Sequence, residues 1–198
     1  MAELLEVIAH QRACRRFSDR PVGDELVEQV LRAATFAPSA ENSQPWAFVV
    51  VREQHRRAAI VELMRQAWEA GGRQHSAGRL DPRLLADVEE AVSGGLAGAP
   101  VLVVVCGDAS RGLEVTLASS VYPATQNLLL AATGLGLGSA MTTLATASPR
   151  PLADLLGLPD HVKPMAVVPL GWPARPLGPP RRRPVRECAH RERYGAGW

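Results

Sequence analysis

A chain of 198 residues is long enough for one domain with a complete core, and 46% hydrophobic and 21% charged residues are ordinary for a globular protein. A formal charge of +2 is too small to imply nucleic-acid binding through bulk charge, although nearly all of the positive charge is arginine, Lys163 being the one lysine. Cys14, Cys106 and Cys188 form no CxxC pair or zinc pattern, Met1–Glu6 is acidic without an apolar signal core, and no apolar run has membrane-spanning length, so a cytoplasmic protein with no membrane partner is expected.

Leu4, Leu5 and Ile8 share a helical face, so a short helix opens the chain and stops near Arg12. Pro21 biases 18–22 toward a loop. Leu26, Val27, Val30 and Leu31 predict an amphipathic helix ending before Pro38. Trp46–Val51 is an unbroken, valine-rich apolar run and reads as a central strand. Residues 54–70 are helical in pattern, 71–81 read as a mobile glycine-rich loop, and a polar helix runs from Pro82 to about Leu96. Pro100–Cys106 is a second buried strand. Leu117–Leu135 is the most apolar helix, buried either centrally or at a subunit interface. Gly134, Gly136 and Gly138 end it, and 139–144 are expected to continue as a strand. Pro151–Leu156 is a short helix closed by Gly157, Met165–Leu170 is a further strand, and 173–198 form an extended proline- and arginine-rich tail. Strands separated by helices define one α/β or α+β domain over 1–198.

Arg12, Arg15 and Arg16 put several guanidinium groups on one short segment, suited to a phosphate or simply to a solvated basic turn. A second cluster, Arg181, Arg182 and Arg183, is stiffened by Pro179, Pro180 and Pro184; a solvated tail is its alternative reading. Between the second helix and the first strand, 37–46 carry Ser39, Asn42 and Gln44. Their hydroxyl and amides suit the N–C=O edge of a uracil-like or flavin-like ring, or else cap the preceding helix. Met141, Thr142 and Thr143 can line a ring face or form a plain strand. Gly134-Leu135-Gly136-Leu137-Gly138 follows a helix, so it is no dinucleotide fingerprint. Cys14, beside arginines, is either a small filler or a thiol of lowered pKa. The histidines show no metal-ligand spacing and no serine sits in a G-x-S-x-G elbow. This lack of an acid–base set fits an enzyme whose cofactor carries the chemistry.

Together these segments resemble the nitroreductase family of FMN-dependent oxidoreductases. The resemblance rests on Arg12-Ala13-Cys14-Arg15-Arg16-Phe17 and Pro21-Val22. It continues through Ala33-Ala34-x-x-Ala37-Pro38-Ser39-x-x-Asn42-x-Gln44-Pro45-Trp46, Ala99-Pro100, Gln126–Ala132, Gly134-Leu135-Gly136, Gly171-Trp172-Pro173 and Arg181-Arg182-Arg183-Pro184. It implies an α+β fold, a central mixed β-sheet flanked by helices, working as an intertwined homodimer with FMN at the interface. Arg12, Ala13, Arg15 and Arg16 would form the phosphate segment, joined by Arg182. Pro38, Ser39, Ala40 and Asn42 would approach the flavin from the partner subunit, Gln44 would be a further cofactor-binding residue, and Met141, Thr142 and Thr143 would lie along the ring.

The implied activity is ping-pong transfer of hydride from NADH or NADPH through FMN to a nitroaromatic, quinone or enone-like acceptor. No catalytic side chain and no metal are implied. Flavin-cleaving synthesis of a cobalamin ligand and reductive dehalogenation are the other FMN chemistries of the family. A colourless, arginine-rich polyanion binder is the alternative outside it. Gln11 and Ala13 stand where the family often has arginine and serine, and 71–80 match nothing in it. Charges placed in Leu128–Ala132 are expected to break the subunit pairing.

Overall fold

The computed structural model describes residues 3–198; the first two residues of the acidic N-terminus lie outside them. In chain order the elements are α1 (Leu4–His10), α2 (Asp24–Thr35), β1 (Trp46–Val51), α3 (Gln54–Ala67), α4 (Arg73–Ala77), α5 (Pro82–Ser93) and β2 (Val101–Asp108). There follow α6 (Glu114–Gly134), β3 (Gly138–Ser139), α7 (Pro149–Leu156) and β4 (Val162–Gly171). Among the described residues the sheet order is β1-β2-β4-β3 with every ladder antiparallel, and the parallel component is a single bridge from Ala13 to Ser139.

Strand β2 explains the layering. Val101 through Gly107 are all buried, because helices cover both faces of the sheet. Val101, Val103 and Val105 pack with α2 and α6 through Val30, Ala34, Val121 and Leu128. Leu102, Val104 and Cys106 face the other way, against Ile60 and Met64 of α3, Ala91 of α5 and Leu152 of α7. The two-residue strand period thus splits one apolar run between two cores. Strand β4 repeats this, with Ala166, Val168 and Leu170 on one side and Val167 on the other.

Four sequence expectations need correction. Trp46–Val51 is the edge strand, not a central one: among the described residues it pairs only with β2, and Val50 is 37% exposed. Composition reported that helices cover its faces, and could not report its place in the order. Residues 71–81 are not an open loop. A π-type turn, Trp68–Gly72, leads into α4 over the buried Trp68 ring, and Arg73 pairs with Glu89 of α5 at 2.6 Å. The strand expected over 139–144 stops at Ser139. The chain touches β4 again only at the Thr142–Val167 bridge, then bends into a 3₁₀ turn held by bonds from Thr146 to the Thr143 carbonyl. Finally, Leu128, Leu129 and Ala132 lie in the chain's own core. A charge there would unfold the chain before it separated subunits. The uncovered stripe of α6 is instead Val115, Ala118 and Tyr122, three and four residues apart on one helix face.

Candidate active site at two corners of the sheet

The segment from Arg12 to Ser18 is built into the sheet's β3 edge. The Cys14 amide donates to the Ser139 carbonyl at 2.9 Å and the Ser18 amide to the Trp172 carbonyl at 2.9 Å. Close approach requires Gly138: a Cβ there would meet the Cys14 sulfur at 2.6 Å. Cys14 is 1% exposed and its Sγ donates to the Arg16 carbonyl. Burial raises its pKa against the opposing pull of that bond and of Arg15, so the reactive-thiol alternative falls and the filler reading stands.

The arginines separate by partner. Arg16 is committed to α5, in a close pair with Glu90 and 3.9 Å from Asp87. Among the described residues neither Arg12 nor Arg15 makes an ion pair; Arg12 donates to the Gly178 carbonyl at 3.3 Å. Burial lowers the Arg15 pKa, Asp87 opposes that shift, and the nearby Arg12 adds to it. Two cavities meet at Ala13 and Arg15. One, about 40 Å³, is lined by Arg12, Ala13, Cys14, Arg15, Arg16 and Asp87, with Arg175 and Leu177 from the C-terminal segment. The other, about 110 Å³, is walled by Val88, Ala91 and Val92 of α5 and by Met141, Thr142 and Leu144. An arginine-rich groove, two of whose guanidinium groups make no ion pair among the described residues, therefore adjoins an apolar wall.

Thr142 gives its backbone to the Val167 bridge, and its hydroxyl accepts from the Leu144 amide at 3.3 Å. Met141 and Thr143 are exposed beside it. Arg182 lies elsewhere. Its guanidinium bonds the neighbouring Arg181 carbonyl, and it does not line the groove.

The segment 38–45 is a second, separate feature. Glu41, Asn42 and Gln44 have φ of 55°, 53° and 48°. Three non-glycine residues in the left-handed region so close together store strain of about 1–3 kcal/mol each, a pattern that gathers at ligand-binding segments. Local bonds hold the shape: the Gln44 amide donates to Ser39 Oγ at 3.0 Å, and Gln44 Nε2 to Asn42 Oδ1 at 3.4 Å. The fully buried Ser120 of α6 ties the segment to the body, accepting from the Ala40 amide at 3.2 Å. Pro38 and Asn42 are exposed, and Ser39 and Ala40 half-buried.

The two features are far apart in one chain. Trp46, which ends the strained segment, pairs with Gly107 at one end of β2. Ala13 reaches the sheet through Ser139 and Leu170, at the Val101 end and on the opposite edge. Six residues of strand and three strand spacings separate these corners by about 25 Å. They also lie on opposite faces, one backed by α6 and the other walled by α5. The structure thus assembles Arg12, Ala13, Arg15, Met141 and Thr142 in one place and Ser39, Ala40, Asn42 and Gln44 in another, with the core between them. Sequence reasoning missed Ser120, Asp87 and Arg175. Only Arg175 carried a sequence signal: it sits between Pro173 and Pro176, the stiffening pattern noted around Arg181–Arg183.

Fold and site together define a three-layer α+β protein with a phosphate-sized arginine groove and a strained polar loop that a single copy cannot bring together. The chain matches the model of the nitroreductase family over residues 8–172 and belongs to that family. It is 34% identical over 177 residues to a putative NADH dehydrogenase/NAD(P)H nitroreductase of Archaeoglobus fulgidus, covering 87% of each chain. It is 31% identical to iodotyrosine deiodinase 1 of Rattus norvegicus, covering 87% of this chain and 63% of that protein. A crystal structure of a nitroreductase with bound FMN from Desulfitobacterium hafniense superposes with a TM-score of 0.74 at 28% identity, covering 97% of this chain and 100% of that one.

Proposed function

We propose that the chain is an FMN-dependent NAD(P)H oxidoreductase acting as a homodimer, with each FMN site shared between the copies. The observation that carries this is the pair of guanidinium groups without an ion pair among the described residues, Arg12 and Arg15, with Arg15 shared between the groove and the cavity walled by Met141 and Thr142. They fit a phosphorylated, flat ligand, because a phosphate can accept charge-assisted hydrogen bonds from both guanidinium groups. Arg12, Arg15 and the Ala13 backbone hold the phosphate, while Arg16 braces α5 beside them. Met141, Thr142 and Thr143 line the ring. Pro38, Ser39, Ala40, Asn42 and Gln44 of a second copy close over it with a hydroxyl and two amides. The family resemblance adds Arg182 of the C-terminal tail, which within one copy lies outside the groove.

FMN, when bound, supplies the two-electron chemistry that links NADH or NADPH to an acceptor. The protein's own part is to fix orientation, to exclude water along the α5 wall and to offer polar groups to the ring edge. The exposed α6 stripe supports pairing of copies. Ala118 and Tyr122 also line a groove of about 760 Å³ between α6, α7 and β4, large enough to seat part of another chain. No helix among the described residues is long and apolar enough to cross a membrane, and Cys14, Cys106 and Cys188 are free, in keeping with a cytoplasmic setting.

The test is the absorption spectrum of the purified protein, followed by anaerobic titration with NADH and NADPH and then a screen of nitroaromatic, quinone and enone acceptors. A yellow dimer reduced by a nicotinamide is expected; a colourless monomer that ignores added FMN refutes the proposal. Arg182→Ala should weaken FMN binding by about 1.5–3 kcal/mol, and an unchanged affinity removes Arg182 from the set. The likeness to a deiodinase gives a second reading, reductive dehalogenation, which adding halogenated phenols to the same screen decides.

A further inference from the structure

We propose that Arg175 is a phosphate-binding residue, the third cation of the arginine groove without a carboxylate partner among the described residues, and that it makes the site selective for phosphorylated flavin. The proposal rests on the FMN reading above and adds a ligand from a part of the chain that the family resemblance does not assign.

The charge balance of the groove calls for it. Arg16 is spent on Glu90. Asp87 lines the groove and faces both Arg15 and Arg16. Set against Asp87, Arg12 and Arg15 leave one net positive charge, and Gln11 adds none. A phosphate monoester carries about −1.5 to −2 at neutral pH. Arg175 lines the same cavity and, among the described residues, makes no ion pair or hydrogen bond. Within one copy, where Arg182 lies outside the groove, including Arg175 brings the groove's net charge to two, matching the dianion.

The backbone delivers Arg175 with little freedom. Residues 172–178 form a strap laid along the arginine segment. Ser18 donates to the Trp172 carbonyl at 2.9 Å, Phe17 and Pro173 form an antiparallel bridge, and the Ala174 amide donates to the Arg16 carbonyl at 3.1 Å. Beyond Arg175, Arg12 itself grips the Gly178 carbonyl at 3.3 Å. The Trp172 ring anchors the strap's start, with its Nε1 donating to the Pro21 carbonyl at 3.1 Å and the Arg20 guanidinium stacked 3.7 Å from its centroid. Pro173 and Pro176 restrict the backbone on either side. A guanidinium held this way loses little backbone entropy on taking up a ligand. Its charge acts on the phosphate and not on the ring, which is the source of the selectivity.

The experiment titrates the full chain, stripped of flavin, with FMN and with riboflavin by fluorescence quenching, for the wild type, Arg175→Ala and Arg175→Gln. Thermal melts confirm that the variants fold, as expected for an exposed side chain. Both variants should weaken FMN binding by about tenfold to a hundredfold while riboflavin binding stays within about twofold. FMN affinity unchanged in both variants, or FMN and riboflavin affinities falling together, overturns the assignment while leaving the FMN reading intact. A wild-type chain that binds neither flavin overturns that reading, and the role of Arg175 with it.

Discussion

The separation of the two polar features makes a prediction about stoichiometry. One variant carries Arg12→Glu and Arg15→Glu, reversing the charge of the groove. The other carries Pro38→Glu and Asn42→Glu, which place repulsive charge on exposed positions of the strained loop. Each variant alone forms only sites with one spoiled half and should bind no FMN. Within one chain the halves lie at opposite corners and on opposite faces of the sheet, about 25 Å apart, too far to cooperate on one ring. Across a two-fold dimer, however, a heterodimer of the two variants has one site with both halves spoiled and one with both intact. Random pairing on co-expression makes about half of all dimers mixed, so FMN capacity should return to about one quarter of the wild-type value. Flavin absorbance per mole of purified protein measures it. No recovery on mixing, or full binding by either variant alone, refutes the shared-site geometry.

Ser120→Ala leaves the half-buried Ala40 amide without its acceptor and should destabilise the fold by about 1–3 kcal/mol, read from urea unfolding; an unchanged midpoint would show that the loop is held otherwise. Val115→Asp with Tyr122→Asp charges the exposed α6 stripe and should yield a folded monomer by sedimentation; an intact dimer would move the interface elsewhere. Of the three thiols only exposed Cys188 should react rapidly with iodoacetamide at pH 8, since Cys14 and Cys106 are buried. Burial pushes the Cys106 thiol up to about 12, so the folded chain favours its protonated form. That contribution to stability is fully present below the ordinary thiol range and is lost as pH rises from about 9 toward 12, which thermal melts across that window follow.

The elements were legible where the sequence states a local preference. Valine runs fixed β1 and the start of β2, helical spacing found α2, α3 and α6, and Gly157, at φ 64°, closes α7 as expected. The misreadings share one cause. Trp46–Val51 has the composition of a covered strand, yet its place at the sheet edge depends on which strand pairs with which. Residues 71–81 are polar and glycine-rich, but the turn they make is set by Trp68 burying beneath them. Leu128–Ala132 is equally apolar whether its partner is α2 or another subunit.

The site divides in the same way. The arginines, the Pro38–Gln44 loop and Met141–Thr143 were each visible as residue types suited to a phosphate or a polar ring, because donor chemistry belongs to the side chain alone. Tertiary structure decided which guanidinium groups are free: Arg16 is neutralised by Glu90, more than seventy positions away, while Arg175 arrives beside Arg12 on a strap from the far end of the chain. It also decided that loop and groove face away from each other across the sheet. Charge pairing and distance depend on how the backbone returns on itself, and that is fixed only when the two cores close on either side of β2.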